Sequence, residues 1–357
     1  MRGRDLLSIA DLTPEELRLV LDTAHALKGD TPRQAQGERI PEESRPFDGL
    51  RVSGKGRQAQ GERQSSPGRG SAEAVRVGEG DSRRLLAGKV LALVFEKPSL
   101  RTRVSFDVGM RQLGGECLYL SPPEVGLGSR EPVEDVARVL SRYVDGIAAR
   151  TFEHRTVEEL ARWAGVPVIN ALSEGEHPCQ ALADLLTVEE KKGRLAGVSL
   201  AFVGDGNNVA RSLCLAAAMS GMDFRFASPA GHELPRGMVA RAEELARACG
   251  GSVACLHDPE EVVRGADVVY MDVWASMGQE AEASARREAF QGYQIDAKMM
   301  ALAAADALFM HDLPAHRGEE VAAEVIEGPQ SVVFDQAENR MHAQKAALAL
   351  ILGEESG

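Results

Sequence analysis

Val90-Leu91-Ala92-Leu93-Val94-Phe95-Glu96-Lys97-Pro98-Ser99-Leu100-Arg101-Thr102-Arg103 runs an apolar segment directly into a polar, cationic turn. The unbroken apolar stretch reads as a strand buried on both faces, the signature of a parallel sheet. Pro98 ends that strand, and Ser99 is a good N-cap for a helix through Val104, Phe106, Val108 and Met110. The unpaired backbone N–H groups of such a helix start attract an anion. Ser99 and Thr102 add hydroxyls, and Arg101 adds a planar fork that fits phosphate or carboxylate oxygens. An ordinary capped helix with solvated arginines is the competing reading of this segment alone. Two arginines and two hydroxyls in one turn after a buried strand favour the anion.

The rest of the chain sets that turn in an acidic protein. Its 357 residues are long enough for two domains, each with a sizeable core. A formal net charge of −13 disfavours nucleic acid and anionic membranes as partners, so any anion site is a local concentration of positive charge. No apolar run reaches the roughly 18–20 residues that span a bilayer, and the N-terminus lacks the apolar core of a signal peptide. Cys117, Cys179, Cys214, Cys249 and Cys255 are scattered without metal-ligand spacing, which predicts reduced thiols in a cytoplasmic protein. Buried packing is the favoured role for Cys179.

An amphipathic helix is expected from about Leu12 to Lys28. From about Thr31 to Asp81 the chain then turns polar and nearly empty of large apolar residues. Arg33-Gln34-Ala35-Gln36-Gly37-Glu38-Arg39 recurs there as Arg57-Gln58-Ala59-Gln60-Gly61-Glu62-Arg63. Two polar copies cannot stack into a solenoid, so residues 31–81 read as a solvated insertion, with a basic contact arm as the alternative. Beyond Arg84, strands and helices alternate, which predicts an α/β protein with two doubly wound parallel sheets. Strands are expected at Val90–Phe95, Gly146–Ala149, Val166–Asn170, Val198–Val203, Phe224–Ala227, Val253–Leu256, Val268–Met271, Ala307–Met310 and Val332–Phe334. Helices are expected at Glu134–Tyr143, Thr156–Ala164, Cys179–Lys191, Val209–Ser220, Pro235–Cys249 and Gln336–Leu352, with Cys179–Lys191 connecting the two sheets.

Ligands of open parallel sheets bind outside the carboxyl ends of the strands, so the polar residues there are the candidates for a site. Gly204-Asp205-Gly206-Asn207-Asn208 permits a tight turn and offers amides to a zwitterion. It lacks the dinucleotide glycine spacing and a following ribose-reading acid. Asp272 ends a strand, either as a loop cap or as a partner for an ammonium group. His177 and Gln180 share a face at the start of the connector helix, where Pro178 suits the first helical position. A capping or packing role for His177 stands beside a binding one. His311, His316 and the nearby carboxylates lack compact ligand spacing, so no metal is expected.

In this order the segments closely resemble the ornithine carbamoyltransferases of the aspartate/ornithine carbamoyltransferase family. The residues that carry the resemblance are Phe95–Arg103, Ala149-Arg150, His177-Pro178-Cys179-Gln180 and Gly204–Asn208. Asp272–Glu280, His311-Asp312-Leu313-Pro314 and Ala337-Glu338-Asn339-Arg340 complete it. It covers nearly everything except 31–81. The resemblance implies a carbamoyl-phosphate domain made of residues 1–176 plus 337–357 and an ornithine domain of 177–336, with the last helix crossing back. It implies transfer of a carbamoyl group from carbamoyl phosphate to the δ-amine of L-ornithine, giving L-citrulline and phosphate. Ser99, Leu100, Arg101, Thr102, Arg150, His177, Gln180 and Arg340 would hold carbamoyl phosphate, with Arg101 and His177 also catalytic. Asn208, Asp272, Ser276 and Met277 would hold ornithine, and Asp312 and Leu313 would form a shared loop. No metal or organic cofactor is implied, and the assembly implied is a homotrimer or a multiple of trimers.

Three residues depart from that pattern. Asp312 stands where the family usually has cysteine; a carboxylate there can take the proton of the δ-amine, and together with Asp272 it is counted among the catalytic residues. Leu100 replaces a common threonine, losing one donor. Gly126 stands where relatives carry a side chain able to reach a neighbouring subunit. A carbamoyltransferase acting on another amine (lysine or putrescine) and a silent carbamoyl-phosphate-binding homologue are the alternative readings.

Overall fold

The computed structural model of the chain describes residues 1–29, 84–275 and 282–354. The polar insertion expected at 31–81, with its repeat, lies outside the described residues, as do Ser276 and Met277.

The first unit opens with α1 (Pro14–Gly29) and continues through β1 (Val90–Phe95), α2 (Leu100–Gln112), β2 (Glu116–Leu120), α3 (Pro122–Val125) and α4 (Val133–Leu140). It ends with β3 (Gly146–Arg150), α5 (His154–Trp163) and β4 (Val168–Leu172). Its four strands lie in the order β2-β1-β3-β4, all parallel, with Phe95 beside Arg150 in the register. Leu91–Phe95 and all of Gly146–Arg150 are buried, which is why these strands are so plainly apolar in sequence. β2 is an edge strand that alternates between exposed and half-buried residues, and this sequence pattern escaped notice.

The connector α6 (Pro178–Lys192) leads to the second unit. Pro178 occupies its first position, and Gly193 closes it at φ 74°. Every residue from Pro178 to Val188 is buried, and each buried leucine there contributes about 1.5–3 kcal/mol. The chain then forms β5 (Ser199–Val203), α7 (Asn208–Met219), β6 (Asp223–Ala227), α8 (Arg236–Cys249), β7 (Ser252–Leu256), α9 (Pro259–Val263) and β8 (Val268–Met271). After these come α10 (Ala283–Ala289), α11 (Ala297–Met300), β9 (Leu308–Met310), α12 (Ala323–Ile326) and α13 (Val333–Leu352). The five strands run parallel in the order β7-β6-β5-β8-β9.

One expected element is absent as such. Val332–Phe334 does not form a strand; it opens α13, and a single bridge from Phe309 to Ser331 is all the pairing that segment makes. Burial at Val333, Gln336, Asn339, Arg340 and Ala343 follows helical spacing, and that periodicity outweighs the short β-branched run. α13 returns from the second sheet to pack on α6, α1 and α2. The chain is thus an α/β protein with two doubly wound parallel sheets and a C-terminal helix that joins them.

Candidate active site

Both sheets reverse direction of winding at one point. In the first sheet β2 lies on one side of β1 and β3 on the other; in the second, β6 and β8 flank β5. Such switch points open a crevice at the carboxyl ends of the strands. The first places the Lys97–Thr102 turn beside Arg150, and the second places Gly204–Asn208 beside Asp272. These two ends face one cleft of about 550 Å³, whose walls include Ser99, Leu100, Arg101, Thr102, Arg150, His177, Asn208, Asp272, Asp312, Leu313 and Arg340.

The first wall is cationic. Ser99 caps α2 by accepting the Thr102 N–H at 3.3 Å, leaving the other free amides of that turn open. Arg340, reaching in from α13, donates to Thr102 Oγ1 at 2.7 Å and to Gln180 Oε1 at 2.6 Å. Arg150 is buried with its Nε unpartnered among the described residues. Burial, with Arg340 and Arg101 beside it, pulls its guanidinium down to about 10. Lys97, over the Phe152 ring at 5.1 Å, is pushed down to about 8 by burial and by Arg150. Burial among these cations keeps His177 neutral, well below its ordinary value, and its Nδ1 is unpartnered. Four cations gather around one turn and none of them forms a salt bridge among the described residues, which is the electrostatic form of an anion site.

The opposite wall is acidic. Asn207 caps α7 with its carbonyl oxygen, accepting from Val209 and Ala210, so its amide must point outward. It donates to Asp272 Oδ2 at 2.6 Å while the Val273 N–H donates to Oδ1 at 2.7 Å. Gly206 allows this turn, because a Cβ there would lie 2.5 Å from the Glu233 carbonyl oxygen. Asp312 adjoins Asp272. Burial raises both carboxyls; Asp312 beside it drives Asp272 further, well above its ordinary value, while the hydrogen bond with Asp272 and the nearby Arg340 and Arg101 oppose the rise at Asp312. Leu313, at φ 62°, donates its N–H to His311 Nδ1 and accepts Arg101 Nη2 at 2.5 Å, which joins the two walls.

Gln180 is brought near the site but is not on the cleft surface: its oxygen meets Arg340 and its amide nitrogen donates to Asp184 at 2.8 Å. Asn208 lines the cleft with its amide turned to the Ser173 carbonyl. Leu100 is 77% exposed at the cleft mouth. Gly126 sits at φ 55°, a backbone conformation that explains glycine there. Sequence reasoning missed Lys97, Asn207, Asp184 and Arg286. Arg286 donates to Asp205 at 2.8 Å and to the Trp274 carbonyl at 3.1 Å, holding the second-sheet turns together.

Asp272, His311 and Asp312 have ligand atoms within 4.8 Å of one another. His311, however, has Nδ1 occupied by the Leu313 N–H, so its Nε2 carries the hydrogen and faces Glu320 at 3.3 Å. No lone pair of that imidazole is free for a metal.

Residues 70–190 match the carbamoyl-phosphate-binding domain model of the aspartate/ornithine carbamoyltransferases, and residues 196–351 match their aspartate/ornithine-binding domain model. The chain belongs to the aspartate/ornithine carbamoyltransferase family. It is 48% identical to the ornithine carbamoyltransferase of Pyrococcus abyssi over 99% of this chain and 97% of that protein. It is 56% identical to the protein of Pyrococcus furiosus named as an anabolic ornithine carbamoyltransferase, over 99% and 98%. A solved ornithine carbamoyltransferase structure from Pyrococcus furiosus superposes with a TM-score of 0.82 and 47% identity, covering 98% of this chain and 97% of that one. Among the described residues no helix is long and apolar enough to cross a membrane.

Proposed function

We propose that the cleft transfers the carbamoyl group of carbamoyl phosphate to the δ-amine of L-ornithine, releasing L-citrulline and phosphate. The observation that carries this reading is a wall of four cations facing two adjoining carboxyls, Asp272 and Asp312, across a single cleft. Ser99, Leu100 (through its backbone N–H), Arg101, Thr102, Arg150 and Arg340 hold the donor, and neutral His177 polarises its carbonyl. Gln180 serves the carbamoyl end from behind Arg340. Asn208, Asp272, Ser276 and Met277 hold the amino acid. Residues 1–176 with 337–357 form the donor unit and 177–336 the acceptor unit.

An alkyl amine has an ordinary pKa of about 10.4 and must lose a proton before it attacks. Asp312, whose rise the nearby Arg340 and Arg101 oppose, is the acceptor for that proton. As the amine nitrogen bonds to the carbamoyl carbon, the bond from that carbon to the phosphate oxygen breaks, and the second proton of that nitrogen leaves with the phosphate. Arg101, Arg150 and Arg340 take up the charge that develops on the departing phosphate. Holding both substrates at attack distance supplies much of the remaining rate enhancement.

Phosphate release, with ornithine, lysine and putrescine compared at fixed carbamoyl phosphate, tests the reading. Ornithine is expected to give the highest kcat/KM, and preference for another amine would overturn the acceptor assignment. Asp312→Asn is expected to lower kcat/KM for ornithine by about 10²–10⁴, the usual scale of a general base. Unchanged activity across pH would remove Asp312 from the mechanism.

A homotrimer in the cytoplasm belongs to the same proposal. Exposed Leu100, Val104 and Leu118 on the first sheet's helix and edge strand support self-association. Five free cysteines suit a reducing compartment.

A further inference from the structure

Asp184 lies one helical turn beyond Gln180 on α6 and is completely buried. It accepts three hydrogen bonds: from Gln180 Nε2 at 2.8 Å, Gln336 Nε2 at 2.7 Å and the Tyr270 hydroxyl at 3.1 Å. An ionised carboxylate only accepts, so two side-chain amides that face it must both present their N–H₂ ends to it. Their carbonyl oxygens are then forced to point away. The oxygen of Gln180 meets Arg340 Nη1, and the oxygen of Gln336 accepts the His311 N–H at 2.9 Å. The first contact holds the arginine that also grips Thr102. The second holds the backbone immediately before Asp312.

We propose that Asp184 is a positioning residue for carbamoyl transfer, its charge fixing the amide polarity of Gln180 and Gln336 and thereby setting Arg340 and the Asp312 loop together. The inference rests on the carbamoyl-transfer reading and deepens it: one buried carboxylate serves both half-sites without touching substrate. Rotating the Gln180 amide would bring its N–H₂ against the Arg340 guanidinium, two donors facing each other.

The groups facing Asp184 are Arg340 from α13, Tyr270 from β8, Asp312 from beyond β9, and Gln180 on its own helix. Burial raises its carboxyl to about 7, against the opposing effect of its three donors and Arg340. Above that pH the carboxylate fixes both amides. Below it, an O–H replaces an acceptor and one donor loses its partner.

The test compares wild type, Asp184→Asn and Asp184→Leu by kcat/KM for carbamoyl phosphate over pH 6 to 9, with calorimetric Kd for carbamoyl phosphate alongside. Wild type is expected to lose kcat/KM as pH falls through about 7. Asp184→Asn keeps an acceptor oxygen but cannot ionise, so its acid limb is expected to be less steep, keeping only the part set by the amine and Asp312. Asp184→Leu leaves three buried donors without their acceptor and is expected to be destabilised, so its rate is read alongside its thermal unfolding. Its kcat/KM is expected to fall about a hundredfold at every pH, the scale of a misplaced positioning group. An acid limb in Asp184→Asn as steep as in wild type overturns the inference, and so does wild-type kcat/KM in Asp184→Leu. If the leucine variant does not fold, the asparagine pH profile decides alone. Wild-type protein that fails to bind carbamoyl phosphate would instead overturn the functional reading, and the inference with it.

Discussion

Replacing Arg150 with methionine is expected to make the free protein more stable and the enzyme nearly inactive. Arg150 ends β3 at 6% exposure, with its Nε unpartnered and Arg340 and Arg101 close by. The fold pulls its guanidinium from above 12 to about 10, so the charged form is disfavoured by about 3 kcal/mol. The sign follows directly: a base with a depressed pKa is charged in both folded and unfolded chains near neutrality, and only the folded chain bears the cost. That cost is constant below pH 10 and fades only as the unfolded guanidinium also deprotonates. Methionine keeps a flexible stem and removes the charge. Imperfect packing and the lost attraction to Asp312 discount the gain to about 1–2 kcal/mol, a few degrees in Tm. Bound phosphate should neutralise the same repulsion, so its stabilising effect should shrink in the variant. Without this cation, kcat/KM for carbamoyl phosphate is expected to fall about 10²–10³-fold, the loss found for a preorganised donor. Thermal unfolding at pH 7 with and without inorganic phosphate, together with initial rates, reads all three. A variant that melts below wild type while phosphate still protects it would refute the account of Arg150 as strained for its ligand.

His342 is buried on α13 with Glu338 at 3.5 Å and Lys28 and Lys345 nearby, and burial pushes its imidazole down to about 3. The unfolded chain therefore takes up the proton first, so stability is full above about pH 6.5 and is lost as pH falls toward 3. His342→Leu is expected to lose about 2 kcal/mol less than wild type between pH 7 and pH 5, by denaturant unfolding; equal losses would show that other groups set the acid limit. Asn207→Ala removes a helix cap worth about 1 kcal/mol and frees Asp272 Oδ2. The KM for ornithine is expected to rise about tenfold with the KM for carbamoyl phosphate unchanged, and a rise confined to carbamoyl phosphate would contradict the placement of Asp272.

Much of the architecture was legible because parallel strands are buried on both faces. Val90–Phe95 and Val268–Met271 coincide with their expected bounds, since nothing polar interrupts them. β2 escaped because its apolar run, Cys117–Leu120, is only four residues long and sits between Glu116 and a proline-rich turn. Val332–Phe334 misled because three apolar residues cannot distinguish a strand from the first turn of a helix. Its helical character shows only in the spacing of the buried polar residues that follow. At the site, the Ser99–Arg103 turn could be read locally, as capping and charge are local properties. Asp184 could not, because its role depends on Gln336 and Tyr270, 152 and 86 residues away. One signal was present all the same: a lone carboxylate among the apolar residues of the connector helix, four residues after Gln180. Asn207 differs from Asn208 only in which of the two caps α7, a choice that backbone geometry makes.

The return of α13 across both units has a consequence in time as well as in space. Every other group on the cationic wall lies between residues 97 and 177, so that wall can be largely formed early in synthesis. Arg340 arrives on the last helix, after the whole second sheet has been made. A nascent chain can therefore fold its first sheet and expose an anion-attracting turn, yet lack the side chain that closes around Thr102. Catalytic competence is withheld until the distal end of the polypeptide has left the ribosome and docked.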